Sequence, residues 1–170
     1  DRQAALASVL PAATQIATMR DSPATIAEQV RRHFASSGRL PLGLSFCSKV
    51  ISDGTFTGIS GTGAARAFVD PKNNGGKACG PHAVMISGIR NNGGKCEYLI
   101  RNTWGSGFGG SISRLNCVCK NSSTGGYSQC PGSGKVNGAN IPGRANLQVI
   151  SCWLPEGEVT RNTMSLTRLQ

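Results

Sequence analysis

The sequence predicts an α+β fold: one amphipathic helix followed by a run of antiparallel strands. Three observations carry that expectation. The stretch "DSPATIAEQVRRHFASSGR" places Ile26, Val30 and Phe34 every four residues, the apolar stripe of a helix. Beyond it, short apolar segments alternate with Gly- and Asn-rich turns as far as the C-terminus. The chain of 170 residues holds 23 Gly and only 5% aromatic residues, a composition suited to many turns and short strands.

Taken in order, residues 1–21 are Ala-rich and interrupted by Pro11, and they read as a connector with some helical tendency. Ser22 is an N-cap and Pro23 suits the first helical position. Gly38 marks the helix stop. His33 lies beside the apolar stripe with no acid or Cys nearby, which reads as a surface or boundary residue. In "LPLGLSFCSKVI", Leu40, Leu42, Leu44 and Phe46 alternate as on one face of a strand. Turns follow through "DPKNNGGKACG". "HAVMISGIR" is mostly apolar and reads as a strand buried on both faces. "NNGG", from Asn91 to Gly94, is a hairpin turn, and "CEYLIRNTW" is the returning strand. "ANLQVISCWLP" and "MSLTRL" are later strands. Between them and the hairpin, a polar, turn-rich excursion over about 113–145 reads as surface structure tied down by disulfides. Residues 22–170 thus form the main body, with no internal repeat.

A chain of this length suits one domain with a sizeable core. With 38% hydrophobic and 15% charged residues it is not a disordered charged tail. No apolar run approaches a membrane span. No basic, apolar, small-residue start of a secretion signal is seen, and the sequence opens at Asp1, as expected of a processed or trimmed piece of something longer. The net charge of +10 is spread along the chain without basic blocks or interleaved aromatics. It reads first as a solvated basic face, with attraction to anionic surfaces or substrates as the functional alternative. No nucleic-acid motif is present.

Seven cysteines, at 47, 79, 96, 117, 119, 130 and 152, point to disulfides and an oxidising compartment: secreted, periplasmic or lysosome-like. Cys117 and Cys119 have one residue between them and no partner pair or His cluster follows, so zinc is not expected. No metal and no organic cofactor is implied. An odd count leaves one thiol free or paired outside the chain, and the pairings themselves are not readable.

The stretches that carry chemistry are "GPHAVMISGIR" and "YLIRNTWGSGFGG". His82 opens one strand and Asn102 ends the strand that returns across the hairpin. The two then fall at the same end of a strand pair. An amide oxygen there accepts from one imidazole nitrogen, fixes the tautomer and leaves the other nitrogen for a nucleophile. Trp104 would shield that bond from water. The bland alternative is a core His hydrogen-bonded to an Asn, with no chemistry.

These two stretches resemble the papain-like cysteine peptidases, in which a His-Ala-Val strand is followed by an Asn-Ser-Trp-Gly turn. The resemblance implies His82 as the imidazole partner of a catalytic thiol, Asn102 as the orienting amide and Trp104 as the shielding indole, with Phe108 where a second Trp is frequent. "IAEQVRRHFASSGRLPLGLSF" looks like the family's helix and Pro-Val-Ser-Val strand. By that match Ser45, Gly80, Pro81 and Ala83 lie at the main side-chain pocket. The similarity covers about residues 22 to 112 and is weak elsewhere. It departs from the pattern at Thr103 in place of Ser, at Pro81 before the His, and in "GGSISRLNCVC" after the second aromatic. The largest departure is the nucleophile: the C-G-[SA]-C-[WY] motif and the Gln that helps bind the oxyanion are absent from the 81 residues before His82.

The resemblance therefore implies the C-terminal, β-barrel-like part of a papain-like enzyme. Its Cys-bearing N-terminal half would be a separate chain or cleaved fragment. Further partners are a peptide or protein substrate and a protein inhibitor or propeptide; neither nucleic acid nor a membrane span is expected. One alternative is a pseudo-peptidase or binding module. Another is a transglutaminase-like acyl transferase or amidase using Cys47, although Cys47 follows a strand rather than opening a helix.

Overall fold

The computed structural model describes residues 13–36, 40–47, 59–60, 67–68, 81–102, 112–132, 134, 140–141 and 143–169. Its frame is a largely antiparallel sheet with one main helix, as expected of the α+β class. In chain order the elements are β1 (Ala13–Thr18), α1 (Pro23–Ser36), β2 (Leu42–Cys47), β3 (Ile59–Ser60), β4 (Ala67–Phe68), β5 (Pro81–Asn92) and β6 (Lys95–Asn102). They continue with β7 (Cys117–Asn121), β8 (Tyr127–Gln129), β9 (Asn140–Ile141), β10 (Arg144–Pro155), α2 (Glu156–Arg161) and β11 (Thr163–Leu169). The main sheet runs β1-β11-β2-β5-β6-β10-β7-β8, with β9 also on β10, while β3 and β4 pair separately. The order ends at β1 and β8, so among the described residues the sheet is open and not closed into a barrel.

Local chemistry explains the helix. Thr25 N donates to Ser22 Oγ at 3.0 Å, the N-cap bond, and Pro23 is the first helical residue. Ile26, Ala27 and Val30 are buried and Phe34 partly so. His33 corrects its sequence reading: it is buried, because positions 26, 30 and 33 share one helical face. Its Nε2 lies 2.8 Å from the Leu40 carbonyl, which satisfies the ring just past the helix. Leu40 itself precedes β2 and is exposed, while Leu42, Leu44 and Phe46 are buried as their alternation requires. Gly38 lies outside the described residues.

Two other expectations change. Ala13–Thr18 is an edge strand, not helical: it pairs with β11 from Ala13↔Leu169 to Thr18↔Ser165. β5 is not buried on both faces. His82, Val84 and Ile86 are buried, while Ala83 is exposed and Met85 half-buried. The hairpin is as read: Gly93 and Gly94 take φ of 58° and 82°, and Asn92 pairs with Lys95. Those positive φ values are why the turn needs glycine.

α1 and α2 pack against each other on the core face of the sheet, over Leu44, Val84, Ile86, Tyr98 and Ile100. At β10 and β7 the core is completed by sulfur. Cys117–Cys152 joins β7 to β10, and Cys119–Cys130 closes the β7–β8 hairpin. Their separations of 35 and 11 residues correspond to about 4 and about 3 kcal/mol of unfolded-chain entropy. Disulfides fit an oxidising compartment and retire the zinc alternative for Cys117 and Cys119. Among the described residues, no helix is long and apolar enough to cross a membrane.

Glu156 ties three elements together. Its Oε2 accepts from Tyr98 Oη at 2.7 Å and from Arg31 Nη1 at 2.9 Å. Burial alone would raise the Glu156 carboxyl. The hydrogen bonds from Tyr98 and Cys96 and the Arg31 charge outweigh it and hold the group below the ordinary carboxylate range. A carboxylate with a lowered folded pKa stabilises the fold above its unfolded pKa, and that contribution is lost as pH falls through the folded value. Glu156→Gln should therefore cost about 1–3 kcal/mol at neutral pH. In urea titrations from pH 7 to pH 3, the gap between wild type and variant should shrink below about pH 4.5. A gap that stays constant with pH would contradict this account.

Candidate active site

The site sits at one end of the three strands β2, β5 and β6. Val84 is the direct partner of Asn102, and His82 lies two residues further along the same face of β5. Antiparallel pairing brings the first residues of β5 beside the last residue of β6, so both side chains enter the core face at the same edge. There His82 Nε2 and Asn102 Oδ1 are 2.8 Å apart, with both residues buried. An amide oxygen only accepts, so Nε2 carries the hydrogen of the neutral ring, and a proton exchanged with a reactant would use Nδ1.

Phe46 completes the setting. It is the cross-strand partner of His82 on β2, fully buried, with ring centroids 6.5 Å apart and planes 26° from parallel. Phe46 thus limits rotation of the imidazole on the side away from Asn102. Sequence reading placed Phe46 on the apolar face of its strand but not against His82. Its alternation was visible, and the β2–β5 register was not.

The expected pocket residues divide. Ser45 and Ala83 are brought together as a direct cross-strand pair, on the face opposite Phe46 and His82. Ser45 Oγ donates to Met164 Sδ at 3.8 Å, which adds a β11 residue to this pair. Nothing local in "MSLTRL" announces that contact, since it depends on β11 pairing with β2 over a distance of more than 100 residues. Pro81 is described in its backbone and pairs with Cys47. Gly80, Trp104 and Phe108 lie outside the described residues, as does Thr103.

Five of the described cysteines are bonded or held as a thiol. Cys117, Cys119, Cys130 and Cys152 are in disulfides. Cys96 is free, but burial first, and then its hydrogen bond to Glu156, push its thiol up and disfavour the thiolate. The register sets the Cys47 backbone one step beyond the Phe46–His82 pair. No group of three or more His, Cys, Asp or Glu able to hold a metal is found among the described residues.

If Asn102 fixes the ring, the neutral imidazole of His82 should show the Nε2–H tautomer in nitrogen-15 spectra of labelled protein. Asn102→Ala should erase that preference and cost about 1–3 kcal/mol, because a buried donor loses its acceptor. A dominant Nδ1–H form in the wild type would contradict the assignment.

No family model, curated protein or solved structure matches the chain, so what the site does must be argued from its residues and their geometry.

Proposed function

We propose that this chain is the His- and Asn-bearing part of a papain-like cysteine peptidase, whose thiol is carried by a separate or cleaved N-terminal portion. The observation that carries the proposal is the buried 2.8 Å contact between His82 Nε2 and Asn102 Oδ1 at the shared end of two paired strands. The sequence context agrees with it: a helix and an alternating strand precede "PHAV", and "RNTWG" follows on the returning strand.

In this reading the partner's thiol gives its proton to Nδ1 of His82. The sulfur attacks the peptide carbonyl, and the imidazolium passes the proton to the leaving amine as the C–N bond breaks. Water, losing a proton to Nδ1, then cleaves the thioester and restores the thiol. Asn102 keeps the ring in the tautomer and orientation that both halves of the cycle need. Ser45, Ala83 and Met164 supply small and soft surface for a substrate side chain on the other face of the same strands. A protein inhibitor or propeptide would occupy the same cleft, and the disulfides suit an oxidising compartment.

One observation favours a second reading. Four of the described cysteines are locked in disulfides and Cys96 is held as a thiol, which is what a pseudo-peptidase or binding module would show. The remaining alternative, an acyl transferase or amidase using Cys47, would lose all activity in Cys47→Ala.

Native preparations should contain a second, Cys-bearing polypeptide, visible by intact mass and denaturing gel, or encoded upstream in the same gene. The assembled protein should be labelled by a thiol-reactive peptidase probe and cleave peptides. Asn102→Ala should slow cleavage by roughly 10- to 100-fold, and His82→Ala should abolish it. Absence of both a second polypeptide and an upstream Cys would sink the proposal in favour of the binding module.

A further inference from the structure

The carboxylates among the described residues are engaged within the chain. Asp21 accepts from Thr18, Glu28 pairs with Arg31 and Arg32, Glu97 with Arg90, Glu156 with Arg31, and Glu158 with Arg161. Arg101 and Lys120, both exposed, have no acidic partner among the described residues. Their placement follows from register. Arg101 pairs with Met85 and Ser151, and Ser151 pairs with Val118, so these residues form one row across β5, β6, β10 and β7. Lys120 lies two residues beyond Val118, toward the end of the sheet that holds His82, and pairs with Tyr127, which is 57% exposed.

The row lies on the face opposite the core. Cys117 and Cys119 are buried on the core face, so Val118 and Lys120 face away from it. Ala83, beside Ser45, lies on this same outer face, one position beyond Met85 in the alternation. The cations therefore continue the Ser45–Ala83 surface across the sheet toward β8. Two strand spacings and one alternation separate Arg101 from Lys120, roughly 12 Å between Cα positions. An extended peptide spans that distance in about four residues.

We propose that this outer face binds an extended polypeptide carrying acidic side chains, which pair with Arg101 and Lys120. The proposal rests on the peptidase reading for its choice of a polypeptide, and it names the substrate class of that site as acidic. Two exposed cations without acidic partners among the described residues favour an anionic occupant, and the neighbouring exposed Tyr127 offers a flat contact for its backbone or side chains.

A fluorescein-labelled deca-glutamate peptide tests this by anisotropy on the full chain. It should bind at ~20 mM salt and weaken steeply by ~300 mM, since exposed ion pairs are screened. Arg101→Glu/Lys120→Glu should weaken binding by roughly tenfold or more. Lys95→Glu/Arg168→Glu changes net charge by the same amount outside the Arg101–Lys120 stretch, at the β5–β6 turn and on β11, and it should weaken binding less than about threefold. Equal losses in the two variants would mean general attraction to a basic protein and would overturn the site. So would failure of the peptide to bind. A labelled deca-thymidylate that binds as tightly, with the same dependence on Arg101 and Lys120, would overturn the assignment to a polypeptide. Binding is read without turnover, so intact binding without hydrolysis counts against the proposed chemistry and leaves the face standing.

Discussion

The register of β5 against β6 is the constraint on which the rest of the structure depends. It is set at the Gly93–Gly94 turn, where two positive φ values force Asn92 opposite Lys95. It is adjusted once, at a bulge between Ile86 and Gly88, so that Val84 meets Asn102. A slip of one residue would turn either Val84 and Ile86 of β5 or Tyr98 and Ile100 of β6 away from the core. Each of those buried side chains contributes about 1.5–3 kcal/mol by leaving water, so the slipped pairing cannot compete. The outer face holds the same register with different forces. Arg90 Nη2 lies 2.6 Å from Glu97 Oε2 on its direct cross-strand partner, and its guanidinium stacks 4.4 Å over Trp153 on β10. Three strands are thereby pinned together by an ion pair that is largely shielded from water.

That register also decides what can be done at the end of the sheet. His82 and Asn102 enter the apolar side, where an unpaired polar group would cost about 1–3 kcal/mol, and each answers the other. The same alternation sends Ala83 to the outer side with Ser45. One short run of β5 therefore carries two chemistries: an imidazole held dry against Phe46 and Asn102, and a small-residue surface facing outward. No loop has to be ordered to bring them together, because both are properties of a paired strand.

The parts of this design legible in the sequence are those governed by neighbours in the chain. Ser22 and Pro23 announce a helix start through local hydrogen bonding, and "NNGG" announces a turn through backbone sterics. The meeting of His82 with Asn102 was readable because only one hairpin lies between them, so counting from the turn sufficed. Where partners are distant, the reading fails. Ala13–Thr18 is a strand because β11 lies beside it, and an Ala-rich segment carries little β preference of its own. His33 looked like a boundary residue because its acceptor, the Leu40 carbonyl, belongs to the backbone and leaves no mark in the residue pattern. β5 appeared doubly buried because apolar content does not tell a covered face from a half-covered one. The disulfide partners depend on β10 running between β6 and β7, a fact of topology and not of spacing.

The same topology separates the imidazole from the described sulfur. Cys117, Cys119, Cys130 and Cys152 are all nearly inaccessible and fill the core under β7 and β10, where large side chains are few. As disulfides they strengthen a thin wing of the sheet, and as core atoms they have no access to a substrate. Cys96 lies at the turn end of β6, opposite Asn91, whereas Asn102 lies at the other end of the same strand. The eight-residue length of β6, roughly 20–25 Å at strand spacing, stands between that thiol and His82. Its proton is further held by burial and by the negative charge of Glu156. The fold leaves these five sulfurs to stability.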